Sequence, residues 1–157
     1  TYLSKALNKP QSDIHAMVIG GHGDTTMIPL TRLASYNGTP ISNLLPDEKQ
    51  DEIVSSTMIG GATLTKLLGT SAWYAPGASV CYLVDSILKN KKKIIPCSVY
   101  LDGQYGLNDI CIGVPCIIGK NGVEEIINLD LNLSEKNKLQ ESAKAIAIMN
   151  KSLKNFI

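Results

Sequence analysis

The chain has little with which to grip an anion in two-pronged fashion. Of its 157 residues, Arg32 is the only arginine, and no G-x-G-x-x-G turn or P-loop follows any strand-like run. Without such a turn a dinucleotide is not held in the usual way, and a lone arginine leaves few means of clamping a dicarboxylate with two parallel bonds. No apolar run approaches the roughly 18 residues that a membrane span needs, and no charged-then-apolar leader opens the chain. A cytoplasmic protein with no membrane partner is therefore expected. A formal net charge of +1 offers no broad field to attract nucleic acid or anionic lipid. The four cysteines, Cys81, Cys97, Cys111 and Cys116, show no C-x-x-C spacing and lie far in sequence from His15 and His22, so no metal site is expected. Cys111 and Cys116, five apart in one strand-like run, should point to opposite faces and remain reduced thiols.

What is present describes a globular domain. The hydrophobic share of 44% and charged share of 18% are ordinary for one, and 157 residues suit a single domain with a sizeable core. Tyr2 to Leu7 reads as the last turns of a helix already under way, because no N-cap signal precedes it. The chain is therefore expected to be a carboxy-terminal piece. Ile14 to Ile19 reads as a buried strand, with His15 on the opposite face from Ala16 and Val18. Met27 to Leu30 and then Arg32 to Tyr36 read as extended chain up to a turn at Asn37-Gly38.

A helix is expected from Asp47, with Ile53, Thr57, Gly61, Leu64 and Leu68 recurring on one face that should rest against something solid. The pair Gly60-Gly61 within it permits close backbone approach or marks a break. Pro76 is placed to begin the next helix, which carries an apolar stripe of Val80, Leu83, Val84, Ile87 and Leu88. Lys89, Lys91, Lys92 and Lys93 follow, suited to the negative end of that helix. Ile94 to Leu101 is strand-like, and Ile110 to Ile118 pairs with Val123 to Leu129 around Gly119-Lys120-Asn121-Gly122. Ser134 can cap a last helix bearing Leu139, Ala143, Ile146 and Leu153. Helix, strands, helices, strands, helix is an α+β order, with antiparallel sheet segments packed on long helices.

The most informative stretch is Gly20-Gly21-His22-Gly23-Asp24 at the end of the first strand-like run. Flanked by glycines, an imidazole can meet a ligand with no neighbouring Cβ in its path. The alternative is a histidine that fills a tight turn.

Several separated segments decide between them. Ala16 to Asp24 (AMVIGGHGD), Met27 to Leu30, Ser71 to Ser79 (SAWYAPGAS), Pro96 to Leu107 (PCSVYLDGQYGL) and Gly113-Val114-Pro115 occur in order along the whole chain. Together they resemble the carboxy-terminal substrate, or catalytic, domain of the lactate/malate dehydrogenase family. The resemblance implies that His22 is the proton acceptor, with Gly20, Gly21, Gly23 and Asp24 as its motif support, and that Ser71 and Ala72 lie near the substrate and nicotinamide. Packing at a helix entry is the competing reading for Ser71 and Ala72. It also implies NAD as cofactor, held mainly by an amino-terminal Rossmann domain outside residues 1–157, and an orienting aspartate and substrate-clamping arginines from that same absent half. Asp24 could substitute for the aspartate, but its place in the motif suits turn stabilisation better.

A small residue at position 72 resembles the malate-type members, so the implied activity is reversible oxidation of malate to oxaloacetate within the tricarboxylic acid cycle. Lactate dehydrogenase is the near alternative. The isolated domain is expected to be inactive, and the full-length protein a homo-oligomer; a dimerisation module built on residues 47 to 68, with Thr57, Gly60 and Gly61 on its face, is the non-catalytic alternative. Two departures from the family pattern stand out. Thr25-Thr26 lengthens the segment after Asp24 by one residue, which a local bulge would absorb, and Met58-Ile59 replaces an Arg-Asn pair before Gly60.

Overall fold

The computed structural model describes residues 1–153, in which four α-helices surround two antiparallel sheets. Helix α1 (Tyr2–Leu7) closes on Asn8, whose left-handed backbone (φ 53°) lets the Asn8 and Lys9 amides reach the Lys5 and Ser4 carbonyls. This is a Schellman-type stop, with asparagine in glycine's usual place.

The first strand-like run is divided between the two sheets. β1 (Ile14–His15) pairs with β4 (Ser35–Tyr36), which pairs in turn with β5 (Thr39–Pro40). β2 (Val18–Gly20) belongs to the larger sheet and pairs with β3 (Met27–Pro29). The chain changes sheet at Ala16-Met17, so simple alternation fails there and both His15 and Ala16 are exposed. Arg32, expected in extended chain, lies instead in a 3-10 turn, Thr31–Leu33. Asn37 and Gly38 both take positive φ (46° and 83°), the backbone of the two-residue turn that matches strand twist.

In the larger sheet β6 (Lys93–Asp102) pairs along one whole edge of β7 (Asn108–Gly119). β2 and β8 (Gly122–Ile126) therefore share its other edge, β2 at Gly113 and β8 from Cys116 to Gly119. Alternation on β7 sends Ile110, Ile112, Val114, Cys116 and Ile118 into the core with Ile19, Ile28, Leu101, Leu139 and Ala143, and Pro115 on the other face is buried as well. Cys111 is exposed and Cys116 buried, the opposite facing that period two requires. Helix α4 (Leu133–Leu153) lies across β2, β3 and β7. Its start is capped by Asn132 rather than Ser134: Asn132 Oδ1 accepts the Glu135 amide at 2.9 Å and Glu135 Oε2 accepts the Asn132 amide at 2.8 Å. This reciprocal pair satisfies two orphan donors at once.

Helix α2 (Asp47–Leu68) runs unbroken through Gly60-Gly61 and ends on left-handed Gly69. Gly60 faces Tyr2, whose hydroxyl would lie 3.2 Å from an added Cβ, while Gly61 faces open space. Ile53 packs with Leu3, Ala34 and Ile41 in a second core, but Gly61, Leu64 and Leu68 on the same face are exposed. Helix α3 (Tyr74–Leu88) starts two residues before Pro76. It turns Leu83 and Ile87 onto the core and leaves Val80, Val84 and Leu88 in solvent. The expected apolar faces of both helices are thus only partly covered by residues 1–153. The lysines after α3 are committed: Lys89 bonds Asp85 at 2.6 Å, Lys91 also bonds Asp85, and Lys92 reaches Glu124. The two ammonium groups hold the Asp85 carboxyl down at about 2.

Candidate active site

A six-residue loop, 21 to 26, joins β2 to β3 and carries His22. Its shape is fixed from within. The Gly21 amide donates to the Thr26 carbonyl (3.0 Å), and the Thr26 and Met27 amides both donate to the Gly23 carbonyl (3.0 and 3.1 Å). Thr26 Oγ1 accepts the Gly23 amide at 3.0 Å. The register Gly20–Met27, Ile19–Ile28 and Val18–Pro29 is regular, so the bulge expected beside Thr25-Thr26 does not occur in these strands.

The glycines answer to close approach. Gly20 has φ of 91°, and a Cβ there would sit 2.4 Å from the Thr26 carbonyl oxygen. One on Gly21 would sit 2.5 Å from Thr26 Oγ1. Any larger residue would push the loop open. Thr26, not Asp24, supplies the side-chain bonds of this turn. Asp24 is exposed, and no ion pair among the described residues joins it to His22.

Two ties from outside hold the loop down. The Ser142 hydroxyl of α4 accepts the Gly21 amide at 2.9 Å and donates to the Thr26 carbonyl at 2.8 Å. Gly20 also meets Gly113 of β7 across the sheet. His22 itself is exposed and lines a cavity of about 950 Å³ with Ser98, Cys111, Gly113, Ile146 and Met149. Among the described residues that line this cavity there is no lysine or arginine. The one guanidinium is spent elsewhere: Arg32 bonds both Glu135 oxygens (3.0 and 2.8 Å) and the Asp130 carbonyl (2.7 Å).

The sequence-selected residues are therefore not all brought together. His22 and its glycines form one unit beside the cavity. Ser71, exposed, and Ala72, half-buried, lie in the α2–α3 connection and do not line it. Ser142 and Thr26 carry the loop and were not singled out by sequence. Ser142 did leave a signal, as a lone hydroxyl on the apolar stripe of Leu139, Ala143 and Ile146. Among the described residues no group of three or more His, Cys, Asp or Glu side chains converges as metal donors, and no helix is long and apolar enough to cross a membrane.

An antiparallel α+β domain that presents a histidine on a glycine loop over a cavity matches one known family. Residues 1–156 fit the model of the lactate/malate dehydrogenase alpha/beta C-terminal domain, and the chain belongs to that family. It is 67% identical to the malate dehydrogenase of Flavobacterium johnsoniae over 157 residues, all of this chain and 50% of that protein. Its backbone superposes on the malate dehydrogenase of Salinibacter ruber with a TM-score of 0.94 at 42% identity, covering 98% of this chain and 50% of that one. The lactate dehydrogenase of Eimeria maxima, solved with NADH and oxamate, gives 0.93 at 41% identity, covering 99% and 50%. The chain spans about half the length of the curated relatives it matches.

Proposed function

We propose that this chain supplies the proton-transfer part of an NAD-dependent malate dehydrogenase, with His22 as proton acceptor. The observation that carries the reading is an exposed imidazole on a rigid loop beside an open cavity. Oxidation of a 2-hydroxy acid removes a proton from oxygen as hydride leaves the same carbon, and NAD, when bound, takes the hydride. An imidazole, with an ordinary pKa of about 6.5, can accept that proton and return it in the reverse direction near neutral pH.

The sequence carries no G-x-G-x-x-G turn or P-loop, so NAD would be held by sequence outside this chain. The same holds for the substrate. A dicarboxylate needs cations, and the described residues of the cavity wall include none. Clamping arginines and the aspartate that orients the imidazole would come from the same missing half. Ser71 and Ala72 would lie beside substrate and nicotinamide on the strength of the motif match. Cytoplasmic placement and a part in the tricarboxylic acid cycle follow from the same reading.

The test joins this chain to the amino-terminal half of the Flavobacterium johnsoniae enzyme and follows NADH absorbance with malate and with lactate. The chain alone should show no turnover, and the joined protein should oxidise malate. His22→Asn should lower kcat by about 10²- to 10⁴-fold, the usual share of general acid–base catalysis. Full activity in that variant would end the reading, and the same assay on the full-length protein with its own amino-terminal half, if it prefers lactate, would select the lactate dehydrogenase alternative.

A second reading concerns assembly. Ile59, Leu67, Leu68, Trp73 and Tyr74 are exposed on α2, α3 and their connection, which suits these helices to contact with a second copy. Sedimentation of the chain at high concentration tests this, a strict monomer counting against it.

A further inference from the structure

We propose that Ser142 is the positioning residue of the His22 loop, acting through a three-centre hydrogen-bond ring that fixes the loop's two ends against α4. The inference rests on the reading of His22 as proton acceptor and adds what aims it. Gly21 N–H donates both to the Thr26 carbonyl (3.0 Å) and to Ser142 Oγ (2.9 Å), and Ser142 Oγ donates to that same carbonyl (2.8 Å). Each of the three groups thus touches the other two. A hydroxyl can accept from an amide and donate to a carbonyl with one atom, which alanine cannot.

The contrast with the other helical hydroxyls is informative. Ser86 bonds back to the Tyr82 carbonyl (2.8 Å) and Thr57 to the Ile53 carbonyl (2.7 Å), the usual resort of such residues in mid-helix. Ser142 is nearly as deep as Ser86, 3% exposed against 0%, yet both of its bonds leave the helix for a loop 116 and 121 residues away. Its neighbours on that stripe, Leu139, Ala143 and Ile146, are apolar, and a hydroxyl buried there is costly unless both roles are filled. The loop fills them. Gly20 completes the fit, because a Cβ at that position would come within 3.1 Å of Ser142 Oγ.

His22 is one residue from the bonded Gly21 amide and within the span that the ring closes. Helix α4 also walls the cavity with Ile146 and Met149. One helix therefore sets both the shape of the cavity and the direction from which the imidazole enters it. Such placement matters because small misplacements of a reacting group are costly in rate.

The test compares the 157-residue chain with its Ser142→Ala variant by amide hydrogen exchange and by the ring resonances of its two histidines. Alanine is a good helix former, and the amides of β6 and β7 report whether the fold is kept. The Gly21, Gly23, Thr26 and Met27 amides should exchange about three- to tenfold faster, the range set by one net hydrogen bond. The His22 ring signals should move, while those of His15 in the other sheet stay in place. Loop amides and His22 signals equal to wild type would overturn the proposal, as would an equal acceleration of every amide in the domain. No turnover is involved, so this outcome is separate from that of His22→Asn.

Discussion

Gly20 and Gly113 face each other where β2 meets β7, and the approach is so close that a Cβ on Gly113 would lie 2.6 Å from the Gly20 carbonyl oxygen. Backbone meets backbone there, so no flexible side chain can yield. Gly113→Ala is expected to cost about 1–3 kcal/mol, the range for overpacking a tight site. Gly61→Ala is the control, since nothing lies within 4 Å of that position and a helical alanine should gain roughly 1 kcal/mol over glycine. Urea midpoints of the two variants should move in opposite directions.

Arg32 and Glu135 tie the turn before β4 to the start of α4. The Arg32 guanidinium, first, and the Asn132 amide hold the Glu135 carboxyl below the ordinary glutamate value of 4.5, against the opposing effect of burial. A depressed folded value means that the stability it adds is complete above about pH 4.5 and is lost as pH falls through the lower folded value. Glu135→Gln should cost roughly 1–2 kcal/mol at pH 7, a figure kept small by the 45% exposure of the Arg32 side chain. The loss should vanish in acid. Thermal unfolding of both proteins from pH 7 to pH 3 reads it directly.

Tyr105 is a short pin between the turn after β6 and the chain after β8. Its hydroxyl donates to the Ile127 carbonyl (2.5 Å) and accepts the Leu129 amide (3.0 Å). Tyr105→Phe strands both backbone groups and should cost about 1–3 kcal/mol. Chemical denaturation gives the value, and an unchanged midpoint would show that water replaces the hydroxyl.

Thiol chemistry should divide the cysteines by face. Burial pushes the Cys116 thiol up to about 11 and raises Cys97 as well, whereas Cys81 and Cys111 are exposed. Thiolate is the reactive form. A chromogenic disulfide reagent at pH 8 should therefore label Cys81 and Cys111 quickly and reach Cys116 only on unfolding. Mass spectrometry of the labelled peptides assigns the sites.

Much of this architecture is legible in local pattern. The period-two facing of Cys111 and Cys116, the Asn37-Gly38 turn, the hairpin at Gly119 to Gly122 and the glycine-flanked His22 each depend on neighbours in the chain. What local pattern misses is tertiary. The division of Ile14 to Ile19 between two sheets depends on Ser35 and Tyr36 claiming one part and Met27 to Pro29 the other. Asn132 takes the cap from Ser134 because Glu135, held by Arg32, closes it. Ser142 acts on a loop more than a hundred residues away. Periodicity marked apolar faces on α2 and α3, of which residues 1–153 cover Ile53, Leu83 and Ile87 and leave Leu64, Leu68, Val80, Val84 and Leu88 exposed.

Those two helices set how this chain behaves in a tube. Residues 61 to 71 have no buried member, and Leu67, Trp73, Tyr74 and Leu88 stand at 62–84% exposure. A lone copy carries a greasy crest into water. Sulfate salts, which strengthen the expulsion of apolar surface, should drive clumping, while cold buffer and mild urea should keep the copies dispersed.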